Sequence, residues 1–481
     1  MGYDGRVPKE ESVTLVSILV PVFNEEEAVR TALLRVLNAP LPEGVRTEAV
    51  VVDDGSNDRS PEILQELADE YPSRVRIFRH PINRGKGAAV RTALREAQGG
   101  LAIIQDSDLE YDPAEYSKLL GPLLRGEADA VYGSRFLVSG ERRVLYYWHS
   151  LANQLLTTLC NMASDLNLTD MGTGYKAFRT DLVRSIPLSS DRFGIDPELT
   201  IKLAKRQAAI FEVPINYYGR TYEDGKKVGL RDAVRAVGVI LRCFVSSDIY
   251  TDSGARILDT LSSATRFNAW MADTVRPWLG GQVMEIGAGI GNMARHLSRG
   301  RRRYVATDID DEHLARLGSR LRSRPNVEIA RCNLCDAADF ADFREAFDTV
   351  VCLNVLEHVP DAGAGLRNIH SVLKPGGRAI VLVPQDQKIY GTLDKVLGHY
   401  LRYSEEELCR RMTEAGFRIE TTLHFNRVTK PGWYWNGRVL KRGHFSRFQL
   451  GIFDFMTPVW RRIDRYLPWG SVSVIGIGVK V

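Results

Sequence analysis

The 481-residue sequence predicts an α/β protein made of two successive domains, each a mostly parallel sheet with helices on both faces. Three observations predict this. The chain is longer than one hydrophobic core usually organises. Short β-rich runs alternate with helical stretches. The alternation then restarts near the middle of the chain, after a small and polar segment.

In the first series, the runs VSILVPV, TEAVVVDD, VRIFRH, LAIIQDSD and ADAVYGS extend from Val16 to about Tyr132. Helical stretches such as 26–37 and 61–71 separate them, which is the rhythm of a parallel sheet. An amphipathic helix is expected over 231–249, followed by the polar stretch SSDIYTDSGAR. The domains are therefore placed at 1–248 and 249–481. The second series opens at Val283 with VMEIGAG and continues through YVATDID, VEIARCN, FDTVVCLNV and RAIVLVP.

Composition removes several classes of function. Lys and Arg total 64 against 60 Asp and Glu, a formal charge of +4, so nucleic acid is not an expected partner. The six cysteines are scattered, as in a protein of the reducing cytoplasm. Cys332 and Cys335 form a CxxC without a second pair at metal spacing, so buried thiols are expected there. The N-terminal residues lack an apolar signal core, and no stretch reaches the roughly 18 uncharged apolar residues of a spanning helix. The expected location is cytoplasmic, with any membrane work done peripherally at the inner face.

The strongest feature of the first half is Gln105-Asp106-Ser107-Asp108-Leu109-Glu110, at the end of an apolar run. Two aspartates one residue apart at a strand end suit a hard divalent cation carrying phosphates. Alone the pattern is also an ordinary acidic turn. It gains weight because Asp53-Asp54-Gly55-Ser56 closes an earlier strand and Pro21-Val22-Phe23-Asn24-Glu25 closes the first. Asn83-Arg84-Gly85-Lys86-Gly87 adds glycines and cations, so the ligand is expected to be anionic and nucleotide-sized.

With these motifs in place, the chain resembles the inverting family 2 glycosyltransferases, in the dolichyl-phosphate mannose synthase-like branch, over 15–245. PVFNEE, VVDDGSNDRS, NRGKGAA, QDSDLEYDP, YGSRF, DMGTGYKAF, PELTIKLAKR and VPINYYGRTYEDGKK follow the family's order. The resemblance implies a GT-A fold and a nucleotide-sugar donor of the GDP-mannose or UDP-glucose type. It implies that Pro21, Asn24, Glu25, Asp53, Asp54 and Lys86 bind the donor nucleotide together with Asp106. Asp106 and Asp108 then hold Mg²⁺ or Mn²⁺, with Glu110, where the branch commonly carries Gln, as the candidate third ligand. Arg135, Arg220 and Lys226 are the implied phosphate ligands.

A polyprenyl phosphate acceptor brings its own anionic oxygen, whereas a glycan hydroxyl needs a base such as Asp196 or Glu198. Both carboxylates equally suit the start of a helix. The apolar segment 145–162 is either an acceptor-capturing element or a core helix.

In the second half, Glu285 precedes the turn Gly287-Ala288-Gly289-Ile290-Gly291, which leads into a helix expected at 292–297. The spacing differs from GxGxxG, which favours an adenosyl amino acid over a dinucleotide. Asp308 closes the next strand, where it could grip ribose hydroxyls, with Asp310 as the alternative. Here the chain resembles class I methyltransferases over 255–481, with a Rossmann-like fold and S-adenosylmethionine as cofactor.

That resemblance implies that Glu285, Gly287, Gly289 and Gly291 line the methionine end. It places Asp308 and Ile309 at the ribose, Asn333 by the adenine, and Asn354 near the reacting methyl. A hydroxyl target would need a base, for which His358 and His399 are the candidates. The stretch 426–469 is rich in aromatics and arginine, including Trp433, Trp435, Phe445, Phe448, Trp460 and Trp469. It suits either a lipid headgroup boundary or a packed lid.

The whole sequence thus predicts a bifunctional enzyme. One domain transfers a sugar to a polyprenyl phosphate or glycan acceptor, and the other methylates a related product. The alternative is one active domain with the other as a nucleotide- or S-adenosylmethionine-binding regulatory module.

Overall fold

A computed structural model describes residues 13–137, 143, 144, 146–219, 230–246, 248, 249, 264–322, 324–440 and 447–481. The chain divides into two compact units, Met1–Thr251 and Asp252–Val481. Each carries a seven-stranded α/β sheet among the described residues.

In the N-terminal unit the strands are β1 (Thr14–Val22), β2 (Val45–Asp53), β3 (Val75–Arg79), β4 (Leu101–Ile104), β5 (Ala130–Ser134), β6 (Lys176–Arg179) and β7 (Ile210–Pro214). Their order is β3-β2-β1-β4-β6-β5-β7. The first four strands in that order run parallel, as expected. The sheet as a whole is mixed, because β6 is antiparallel to both β4 and β5. The sheet is still mostly parallel, as expected, and among the described residues β6 is the one reversed strand, which the sequence pattern does not announce. KAFR is only four residues long and opens with a fully buried lysine, so it lacks the apolar pattern of a strand.

Alternation sorts the β1 side chains onto two faces. Val16, Ile18, Val20 and Val22 pack with Val29, Leu33 and Val36 of the helix Val29–Leu37. Leu19 faces the other way, with Val50, Val52 and the helix Lys86–Glu96 through Ala89, Val90 and Ala93. Both faces are therefore covered, and ligands are left the strand ends.

The segment expected to be a core helix or an acceptor element forms the helix Tyr147–Ser164, in which only Thr157 and Cys160 are buried. Trp148, Leu151, Leu155 and Met162 are exposed along one stripe, so it is not a core helix. The helix expected over 231–249 runs Leu230–Val245.

In the C-terminal unit the strands are β8 (Gln282–Ile286), β9 (Arg303–Asp308), β10 (Val327–Arg331), β11 (Phe347–Leu353), β12 (Leu373–Pro384), β13 (Phe417–Phe425) and β14 (Ser473–Lys480). Their order is β10-β9-β8-β11-β12-β14-β13, with β14 antiparallel to both neighbours. Again both faces are filled: Met284, Val350 and Cys352 lie on one side, Val283, Val351 and Leu353 on the other. The helix expected at 292–297 is a single turn, Ala294–Leu297. No helix among the described residues is long and apolar enough to cross a membrane.

Candidate active sites

The carboxyl ends of β2, β1 and β4 are adjacent and are laced together by side chains. After β1, Asn24 turns with φ 51°; its N–H donates to Ser56 Oγ (3.0 Å) and its Oδ1 accepts from the Asn57 N–H (2.9 Å). The Glu25 N–H donates to Ser60 Oγ at 2.9 Å. Ser107, between the two aspartates, donates to the Pro21 carbonyl at 3.1 Å. Buried Asp53 accepts from the Ser56 N–H (2.9 Å) and pairs with Arg79 (2.9 Å). Pro21, Asn24, Glu25 and Asp53 thus share one rim with the aspartate pair.

Asp106 and Asp108 follow β4 and are partly exposed. Lys86 Nζ touches both Asp106 oxygens, at 2.6 and 2.8 Å. Burial opposes the lysine charge, but Asp106 and Asp196 outweigh it and hold its pKa above the ordinary value. Gly174 keeps this corner open, since a Cβ there would lie 2.4 Å from Asp106 Oδ2. Asp108 accepts from the Glu110 N–H at 3.2 Å, and Glu110 in turn accepts from the Tyr217 hydroxyl at 2.6 Å. The two hard carboxylates fit Mg²⁺ or Mn²⁺ chemistry.

Two expected site residues have other employment. Asp54 is buried and accepts from the Arg84 and Gly85 N–H groups while contacting His80 Nδ1 at 2.7 Å, so it braces the loop 83–87 and does not face a nucleotide. Glu198 is fully buried and accepts from the Ser189 and Ser190 N–H groups and from Lys202. Burial alone would raise its pKa; these partners instead pull it down to about 2, too weak a base for a sugar hydroxyl. Asp196 pairs with buried Lys176 at 2.6 Å and joins the charged network that reaches Lys86.

Arg135 is gripped by Asp170 through Nε (2.7 Å) and Nη2 (2.8 Å) and lies over the Tyr217 ring. It lines a cavity of about 200 Å³ with Arg143, His149, Asn153 and Tyr217. Arg220 and Lys226 lie outside the described residues. Sequence reasoning missed Asp170 and the stacked Tyr111 and Tyr175 (centroids 4.6 Å apart), although DMGTGYKAF and LEYDP contain them.

In the C-terminal unit the expected cofactor residues gather at the ends of β10, β9, β8 and β11, consecutive in the sheet. Gly287 has φ 68°, and a Cβ there would meet Val355 Cγ2 at 2.3 Å; only glycine fits. Gly289 donates its N–H to Asp308 Oδ2 at 2.7 Å and has open space where a side chain would be, and Gly291 completes the turn. The other Asp308 oxygen takes the Asp310 N–H at 3.1 Å. Asp310 caps the helix Asp311–Leu321, while Ile309 is exposed beside Asp308.

Glu285 lies beneath the turn instead of lining the cleft. It is buried and accepts from the Tyr304 hydroxyl at 2.7 Å, and burial lifts its pKa to about 7. Asn333 Oδ1 accepts from the Cys335 N–H at 3.1 Å, and Asn354 stands exposed with φ 55° directly after β11.

His358 and His399 meet, with ring centroids 4.9 Å apart. Although part of its surface is exposed, neighbouring atoms strip enough water from the His358 ring, with His399 adding to the effect, to push its pKa down to about 4, which keeps it neutral near pH 7. His399 Nδ1 sits 3.0 Å from buried Asp394, which also binds Arg402 (2.8 Å) and the Trp433 indole (3.3 Å). Within the stretch 426–469, Trp433 thus packs against the Asp394–Arg402 pair. The helix Arg447–Ile463 nevertheless exposes Ile452, Phe455, Val459 and Ile463, and Phe445 and the Phe448 side chain lie outside the described residues. Arg266, Arg461, Arg462 and Arg465 line a cavity of about 610 Å³.

A family model described as Glycosyl transferase family 2 matches residues 17–186, and one described as Methyltransferase domain matches 284–379. Glycosyltransferase AglJ of Haloferax volcanii is 30% identical over 226 residues, covering 47% of this chain and 69% of that protein. The dolichol-phosphate mannosyltransferase of Pyrococcus furiosus is 29% identical, covering 44% of this chain and 59% of that protein. An undecaprenyl-phosphate 4-deoxy-4-formamido-L-arabinose transferase of Edwardsiella ictaluri is 26% identical, covering 50% of this chain and 70% of that protein. The laced strand ends around Asp106 and Asp108 lie within or beside the first matched segment, and the glycine turn lies within the second. The chain accordingly belongs to glycosyl transferase family 2 through its N-terminal unit and carries a methyltransferase domain in its C-terminal unit.

Proposed function

We propose that the chain is a bifunctional enzyme with domains near 1–248 and 249–481. The first transfers a sugar from a GDP-mannose or UDP-glucose type donor to a polyprenyl phosphate, and the second methylates a related product with S-adenosylmethionine. One observation carries the first activity: the ends of β2, β1 and β4 converge on two partly exposed aspartates with a lysine at hand. Asp106 and Asp108 would hold Mg²⁺ or Mn²⁺, which supplies positive charge for a departing nucleoside diphosphate. Asn24, Glu25 and Asp53 border the nucleoside position, and Lys86 is free to exchange Asp106 for phosphate oxygens. Glu110, tied to Tyr217, orders the loop after the aspartates.

The acceptor reading rests on two neighbouring features. The cavity with Arg135, Arg143 and His149 suits a phosphate, and the exposed stripe of Trp148, Leu151 and Leu155 starts beside it and suits a lipid chain. The names of the relatives from Pyrococcus furiosus and Edwardsiella ictaluri contain polyprenyl phosphates, which supports the same class. Peripheral contact with the inner membrane face follows, aided by the exposed apolar stripe of Arg447–Ile463. A polyprenyl phosphate needs no strong base, which agrees with the occupied state of Glu198.

For methyl transfer, the glycine turn, Asp308, Ile309, Asn333 and Asn354 are proposed to surround the cofactor. The test is release of nucleoside diphosphate from a panel of nucleotide sugars with Mn²⁺ and a polyprenyl phosphate, alongside binding of S-adenosylhomocysteine. Asp108→Ala should abolish sugar transfer and leave S-adenosylhomocysteine affinity unchanged; loss of both would contradict separate sites. If one domain is a regulatory module, its ligand will bind without turnover and alter the rate of the other.

A further inference from the structure

We propose that Glu357, His358 and His399 form a metal centre in the C-terminal unit, built for a divalent cation of the zinc type. The carboxylate and the two imidazoles each offer a ligand atom, and these atoms all lie within 4.8 Å of one another. Two imidazole nitrogens and one carboxylate oxygen make a donor set for Zn²⁺ and related transition metals, with coordination positions left open.

Two independent observations point the same way. Glu357 is 1% exposed, yet neither of its carboxylate oxygens has a hydrogen-bond partner. A buried carboxylate normally finds donors, and here His399 Nε2 stands 3.9 Å away, beyond hydrogen-bond reach. The second observation concerns His399. Its Nδ1 faces Asp394 at 3.0 Å, and Asp394 is itself fixed by the Gly391 N–H (2.9 Å) and by Arg402 (2.8 Å). Asp394 therefore favours the tautomer protonated at Nδ1, which leaves the Nε2 lone pair directed at Glu357. Histidine ligands to metals are held in this way by a carboxylate behind them.

This arrangement replaces the general-base role considered for His399, because its free nitrogen faces a buried carboxylate. The turn Leu356–His358 follows β11 and Asn354 directly, at the strand edge assigned to methyl transfer, and His358 is exposed. An open position on the cation would accept an oxygen of the methyl acceptor; this last role alone rests on the methyltransferase reading.

The test measures binding without turnover, so it stands apart from that reading. The full-length chain carrying Asp106→Ala and Asp108→Ala, which removes the expected N-terminal cation site, is stripped with chelator and titrated with Co²⁺. One equivalent should bind with visible ligand-field absorption and be displaced by Zn²⁺. His358→Ala should weaken Co²⁺ at least tenfold, and His399→Ala or Glu357→Gln should abolish the absorption. Because His358 is exposed, its variant should keep the fold, checked by circular dichroism. Absence of stoichiometric Co²⁺ binding, or binding that survives His358→Ala with the fold intact, overturns the proposal.

Discussion

Asp170 is fully buried and neutralises Arg135 through two hydrogen bonds, while Asn153 donates to it at 3.1 Å. Asp170→Ala would leave a largely buried guanidinium uncompensated and should cost about 3–5 kcal/mol. Urea unfolding would measure this, and a loss under about 1 kcal/mol would mean the guanidinium readily finds other partners. Glu285 gives a pH dependence of known sign. Its pKa rises from 4.5 to about 7 on folding, so the folded state holds an extra proton between those values. Stability from this group is full below 4.5 and falls as pH climbs through about 7; Glu285→Gln should flatten that slope in denaturation midpoints taken at about pH 5 and about pH 8. Residues at strand ends were legible because short acidic and glycine clusters interrupt apolar runs. Asp170 and Glu357 were not, since their meaning comes from partners distant in the chain, Arg135 and His399.

At the scale of elements, the helix Tyr147–Ser164 presents Trp148 and Leu155 to solvent, 74% and 61% exposed. Trp148→Glu with Leu155→Glu should change stability by no more than about 0.5 kcal/mol for each exposed site. It should, however, sharply reduce liposome co-sedimentation and sugar transfer to a long-chain polyprenyl phosphate, while a short-chain acceptor is used as before. Equal loss with both acceptors would remove the lipid role of this stripe. Apolar patterning revealed β1 through β5, because burial on both faces leaves near-continuous apolar words such as AVVV. It did not reveal β6, where the buried charge of Lys176 is answered by Asp196 on another element. The helix at 292–297 was overextended for the opposite reason: glycine turn geometry occupies its start.

For the molecule as a whole, each unit encloses its own cores, and among the described residues each sheet is built within one unit. Such units should respond to ligands separately. In a thermal scan, S-adenosylhomocysteine should raise one transition and a nucleoside diphosphate with Mn²⁺ the other; a single transition moved equally by both would show one cooperative body. Two-domain organisation was legible from the restart of the strand-helix rhythm, whereas the antiparallel insertions were not, because direction leaves no trace in hydrophobic period. One of those insertions bears on how the protein is made. β14 slots between β12 and β13, although it is synthesised after both. Until residues 473–480 leave the ribosome, those two earlier strands wait with open edges, so the nascent methyltransferase half passes through an aggregation-prone stage that ends only when this late segment docks.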